Sequence, residues 1–266
     1  MFPDDEDFGE IIDLIRPLKL NNVVPSLIKV TSDLYALGTE ATYPFQRTGG
    51  LTPLPDDVRR ELQHQCGVGA WCVSGAFYGA SDEAVLPLVE RMQAHFGRSG
   101  KARYISHEEA SGHPILQIHI DTFSGRPTRT ELGLLNWRPG GGCCWFLPPL
   151  PMIGTIANQH QALSRRILRE HGLEFITEYV CGPRMGRALH ILIFNRQEQG
   201  ECQRVIACYQ APMAAYGQAG YPISRAPLDF QEEAMARLET FPEVCAAIKR
   251  ALDPNRILSP GRYGIS

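Results

Sequence analysis

At 266 residues, 44% of them hydrophobic, the chain is long enough to bury a substantial core and fits either one large domain or two intimate ones. Its 26 basic and 29 acidic residues leave a formal net charge of −3, and neither sign gathers in a block. That balance excludes an electrostatic footprint for nucleic acid or an anionic membrane and favours a small, roughly neutral partner.

No apolar run approaches the ~20 residues of a membrane span, and the opening MFPDDEDFGEII lacks the basic and apolar regions of a leader peptide. The eight cysteines contain no C-x-x-C pair, so the expectation is a soluble, cytoplasmic chain with reduced thiols. No His/Cys/Asp set repeats at ligand spacing, and no metal is expected; the histidines read as structural.

In chain order, DEDFGEIIDLIRPL reads as a short amphipathic helix closed by Pro17. Residues 26 to 37 show no clear period, and ATYPFQRTGGLTPLP is loop-like. DDVRRELQHQ predicts a helix stopped by Gly67. AWCVSGAFYG then predicts a strand, SDEAVLPLVERMQAHFG a helix, and KARYIS and ILQIHI two more strands. A second round follows, with CCWFL as strand, TIANQHQALSRRILREHG as helix, EFITEYVCG and ALHILIFNR as strands around a GPRMG turn, and a helix over about 199 to 217. Strand, helix, strand, strand read twice predicts an α+β fold, a duplicated ferredoxin-like arrangement with an antiparallel sheet and helices on one face. After Gly220 come a proline-punctuated loop, two short amphipathic helices and a tail whose Asp253-Pro254 ends the last helix. In that tail Ile257 and Leu258 read as anchors and Pro260-Gly261 as the turn presenting Arg262. This last unit is too small to own a core and should dock on something else.

Several residues point to chemistry. Glu178 alternates with Ile176 and Val180, which places a carboxylate among aliphatic side chains, at a sheet edge, in a pocket or on a wet face. ELGLLNWRPGGGCCWF sets Glu131 ahead of an apolar run, a PGGG break, the vicinal Cys143-Cys144 pair and Trp145. The glycines match no phosphate-binding fingerprint, and nothing local activates either thiol. Arg225 in YPISRAP and Arg262 in SPGRYG both sit on turn-rich loops with apolar flanks. Solvation explains either one alone, whereas together they could stabilise negative charge on a ligand.

These stretches carry a resemblance. LDPNRILSPGRYGI resembles the C-terminal end of vanillyl-alcohol oxidase and p-cresol methylhydroxylase flavoproteins. FPDDEDFGEIIDLIRPLKLNN, GVGAWCVSGAFYG, LLNWRPGGGCCWF, LEFITEYVCGPR and GYPISRAPLDF resemble successive parts of the same family, in the same order. The likeness is to its second half, without the FAD-binding domain. It implies a cap, or substrate, domain over residues 1–220 and a C-terminal segment over 221–266 that packs on that FAD-binding domain.

The implied chemistry is hydride removal from the benzylic carbon of a para-substituted phenol to FAD, incomplete without the FAD-binding domain. By this resemblance Arg262 faces the flavin, Arg225 lies between flavin and phenolic oxygen, and Glu131 and Glu178 take the active-site acidic positions as base or orienting groups. Trp145, Arg187 and Ser224 face the substrate. Arg187 stands where the family has a histidine, Ser224 where it has the phenolate-binding tyrosine, and Leu135 where the p-cresol enzyme attaches its flavin to a tyrosine, so FAD is expected to be non-covalent. The oxidase's flavin-linking histidine falls near Cys143. Implied partners are a small aromatic substrate, a separate FAD-binding domain or subunit, and a cytochrome c subunit or a second copy of the chain. A binding module without redox chemistry and an orphan fragment are the alternatives that these departures leave open.

Overall fold

The computed structural model describes residues 1–223 and 225–265; Ser224, one of the expected substrate-facing residues, lies outside them. Six strands form one sheet: β1 (Ile28–Ser32), β2 (Trp71–Gly75), β3 (Gly142–Phe146), β4 (Pro149–Pro151), β5 (Thr177–Cys181) and β6 (Met185–Phe194). Their order is β2-β1-β5-β6-β3, with β4 also on β6, and every pairing is antiparallel. The helices are α1 (Phe8–Leu20), α2 (Asp33–Glu40), α3 (Phe45–Thr48), α4 (Asp56–Cys66), α5 (Asp82–Gly97), α6 (His107–Ser111), α7 (Gln117–Phe123), α8 (Gly154–Glu170), α9 (Gln199–Gln218), α10 (Gln231–Ala236) and α11 (Thr240–Leu252). The fold is therefore the expected α+β class with an antiparallel sheet.

One face of the sheet packs on α1, α8 and α9. Phe8, Ile11, Ile12, Ile15 and Leu18 recur at helical spacing along α1 and are all buried. Phe8 lies 4.6 Å from the Trp71 ring and 4.4 Å from Tyr179, so an aromatic cluster joins helix and sheet. α1 and α8 touch backbone to backbone: a Cβ on Gly9 would stand 2.8 Å from the Gly154 carbonyl oxygen, and Asp13 accepts a 2.8 Å bond from the Gly154 N–H that opens α8. The Arg59 guanidinium binds both oxygens of Asp5 and both of Asp33, and Arg165 also binds Asp5, which ties the N-terminal turn, α2, α4 and α8 together.

The other face carries a second core, with Leu34, Tyr35, Ile118, Leu134 and Trp137 against Ile176, Ile191 and Ile193. It covers that end of the sheet, so helices occupy more than the single face expected. From Gly142 onward the expected elements are present, with β4 in addition, while the first round, besides the unread short helices α3 and α6, differs as follows. KARYIS is not a strand; among the described residues its only ladder-like link is a reciprocal pair of bonds between Arg103 and Met1. ILQIHI is a 3-10 turn followed by α7, because Pro114 opens it and the buried Ile115, Leu116, Ile118 and His119 follow helical spacing. α1 continues through Pro17 to Leu20, with the Pro17 carbonyl accepting from Asn21 N–H. The stretch without a period holds β1 and α2, joined at Ser32, whose Oγ accepts from the Tyr35 and Thr177 N–H groups. β1 is flanked by β2 and β5 and almost wholly buried, so its sequence lacks the alternation of a half-wet strand.

Candidate functional site

Residues that face each other across an antiparallel ladder share a side of the sheet, and successive residues alternate sides. Tyr179 and Val30 belong to the core beneath the helices, so Glu178, Val180, Lys29 and Thr31 point to the opposite face. The register then places on that face one row of Ser74, Lys29, Val180 and Arg187 and, next to it, a row of Cys72, Thr31, Glu178 and Leu189. Trp145, opposite Ile191, belongs to the same face further along β6 and is partly exposed.

Glu178 is buried at 4% exposure, and the Lys29 ammonium on β1 stands 2.6 Å from its Oε2. The sequence contains no signal for this pairing. Lys29 lies in the unperiodic stretch, and its meeting with Glu178 depends on β1 pairing with β5. Glu131 is exposed on the 3-10 turn Thr130–Asn136, and the Tyr35 hydroxyl donates a 2.9 Å bond to its Oε1. Burial, together with the negative charge of Glu178 and Glu131, pushes the Tyr35 phenol far above its ordinary range, so Tyr35 stays a neutral donor. The expected acids Glu131 and Glu178 are thus brought into one neighbourhood around Tyr35. Arg187 lies on the same face, exposed and without a salt bridge among the described residues.

Leu135 lines an open groove of about 800 Å3 together with Thr39, Arg138, Gly140, Gly141 and Arg196. The PGGG break turns the chain into β3: Gly140 has φ 79°, and a Cβ there would stand 2.1 Å from the Asn195 side-chain oxygen. These glycines thus serve a close approach within the chain itself. Burial pushes the Cys143 thiol up to about 12 and the Cys144 thiol up to about 11, which removes both as nucleophiles at neutral pH. At Cys72 burial acts upward, yet the neighbouring His119 imidazole and the N-terminal ammonium together leave the thiol below its usual value. Neither partner was singled out by the sequence. Among the described residues no group of three or more His, Cys, Asp or Glu side chains could hold a metal ion, and no helix is long and apolar enough to cross a membrane.

Arg225 and Arg262 form a separate assembly. Both are exposed, and their neighbours are tied in one knot: the Ala226 N–H donates to the Tyr263 hydroxyl at 3.2 Å, Gln231 Nε2 donates to the Ala226 carbonyl at 3.1 Å, and the Tyr263 N–H donates to Gln231 Oε1 at 3.1 Å. Phe230 stacks on Tyr209 of α9 with ring centroids 4.5 Å apart, which anchors the knot to the rest of the chain. Upstream, the Asp253 carboxylate accepts from Lys249 and from the Ile257 and Leu258 N–H groups, which holds it down at about 2. The expected anchors Ile257 and Leu258 are 74% and 64% exposed; the Asp253 cap turns their backbone and leaves their side chains outward.

No protein-family model matches the chain. It is 32% identical over 266 residues to the 4-cresol dehydrogenase (hydroxylating) flavoprotein subunit of Pseudomonas putida, across 100% of this chain and 51% of that one. It is 26% identical over 296 residues to 1'-carboxy-chondrochloren decarboxylase of Chondromyces crocatus, across 98% of this chain and 54% of the relative. The crystal structure of p-cresol methylhydroxylase with substrate bound superposes with a TM-score of 0.93 at 32% identity, covering 100% of this chain and 52% of that one. The chain spans about half the length of the curated relatives it matches. In sequence and in fold it is similar to about half of the p-cresol methylhydroxylase flavoprotein.

Proposed function

We propose that the chain is the substrate domain of an FAD-dependent oxidoreductase that removes a hydride from a para-substituted phenol, working together with an FAD-binding domain. The observation that carries this reading is the placement of Glu131 and Glu178 around Tyr35 on one sheet face, in a chain that aligns from end to end with the cresol-oxidising relative. Bound FAD would supply the hydride acceptor. The chain's own residues would bind and orient the phenol between Trp145 and Arg187, hold it against Glu131 and Glu178 as proton acceptors, and stabilise negative charge with Arg225 and Arg262. Those two arginines fit an anionic cofactor, since both are exposed on one hydrogen-bonded knot. Leu135 has no atom to form a flavin bond and the Cys143 thiol is protonated, which supports non-covalent FAD with respect to this chain.

In this reading residues 1–220 are the cap and residues 221–266 are the segment that packs on the FAD-binding domain. α11 supports the division: Phe241, Val244, Ile248 and Leu252 form an exposed apolar stripe at helical spacing, continued by Ile257 and Leu258. The relative's designation as a subunit supports a further protein partner, a cytochrome c subunit or a second copy of the chain.

The test is to co-express the chain with an FAD-binding domain of the family, purify the assembly and add 4-propylphenol without oxygen. Bleaching of the oxidised flavin band is the expected result. Phenol binding without bleaching would replace the reading by a non-catalytic binding module, and absence of binding would remove the phenol altogether.

A further inference from the structure

Glu178 has two cations at diagonal cross-strand positions. Lys29 and Arg187 both stand opposite Val180, one on each neighbouring strand, and all three side chains point to the face opposite α1, α8 and α9. Diagonal neighbours of this kind stand about 7–8 Å apart, within reach of either long side chain. Only Lys29 closes on the carboxylate, at 2.6 Å, and both partners of that pair are largely buried. On the same face Glu131 is taken by the Tyr35 hydroxyl. Arg187 is left exposed, with no salt bridge among the described residues and with Leu189, Val180 and Pro149 as its apolar surroundings.

A planar guanidinium without a counter-charge beside an apolar floor is a matched receptor for a planar carboxylate. We propose that the aromatic ligand of this face carries a carboxylate that pairs with Arg187, so that the substrate class is a phenol bearing an acidic side chain rather than a neutral alkylphenol. The phenol part rests on the reading above; the carboxylate part rests on Arg187 alone. Lys29 cannot take the same role, because its charge is already spent on Glu178.

The experiment measures binding of 3-(4-hydroxyphenyl)propanoate, 3-phenylpropanoate and 4-propylphenol by calorimetry to the chain co-expressed and purified with an FAD-binding domain of the family, in the wild type and in R187L, R187Q and R187K, each checked for unchanged thermal unfolding. A charge-assisted bond of this type corresponds to roughly a 10- to 100-fold difference in Kd between the hydroxyphenyl acid and 4-propylphenol. The expected result is that preference in the wild type, its collapse in R187L and R187Q, and partial retention in R187K. Equal affinity for acid and neutral phenol, or a preference that survives R187L, overturns the carboxylate assignment and leaves the phenol reading standing. Equal binding of the two acids, lost in R187L, upholds Arg187 and overturns the phenol. Binding of none of the three overturns both.

Discussion

Lys29 Nζ and Glu178 Oε2 stand 2.6 Å apart on adjacent antiparallel strands, with side chains 13% and 6% exposed. Removing one partner of such a pair strands the other charge in a poorly solvated place, which costs about 3–5 kcal/mol. Lys29→Met is therefore expected to lower the unfolding free energy by about that amount in urea titrations at pH 7. Replacing both residues by Met should recover most of the loss, since no unpaired charge remains. A single variant as stable as the wild type would show that the carboxylate finds another partner.

Glu174 gives the fold a pH dependence of definite sign. It is buried at 5% exposure, and burial raises its carboxyl to about 7, although both oxygens accept from the Leu54 N–H, at 2.9 and 3.1 Å. The folded chain thus holds a proton that the unfolded chain releases at the ordinary value of about 4.3. This contribution is fully present below that value and is lost as pH rises through about 7, amounting to about 4 kcal/mol. Comparing urea unfolding of wild type and Glu174→Gln at pH 5 and pH 8 should show a smaller loss across this range in the variant. Parallel pH profiles would mean that Glu174 does not titrate there.

The stripe on α11 predicts an interaction phenotype without a folding phenotype. Val244 and Ile248 are 50% and 54% exposed, so Val244→Glu with Ile248→Glu should change stability by no more than about 1 kcal/mol. The same pair should prevent co-purification with a co-expressed FAD-binding domain. Undiminished co-purification would place the docking surface elsewhere.

Tyr263 links the two arginine loops through one hydroxyl, which accepts from the Ala226 N–H at 3.2 Å. Tyr263→Phe should cost about 1 kcal/mol of stability. In the assembled enzyme it should also slow flavin reduction by 4-propylphenol as Arg225 and Arg262 lose their shared brace. Flavin reduction at the wild-type rate, measured by stopped flow, would separate the knot from the chemistry.

What the sequence determined by itself is local, together with a resemblance. The helices α4, α5, α8 and α9 carry a helical period and clear stops, and β5 and β6 follow one another across a short turn, so nearest-neighbour physics is enough to find them. The stretches resembling the flavoprotein family reached the same half that sequence and fold matching identify. β1 was illegible because burial on both sides erases alternation, and ILQIHI misled because a short apolar run fits strand and helix alike. Only the tertiary structure decided which charges meet. Lys29 finds Glu178 because β1 pairs with β5, Tyr35 finds Glu131 because the 3-10 turn packs on α2, and Arg187 is left without a salt bridge among the described residues. Cross-strand register depends on how distant segments align, and a shift of one residue would send the strand residues Lys29, Glu178 or Arg187 to the other face of the sheet.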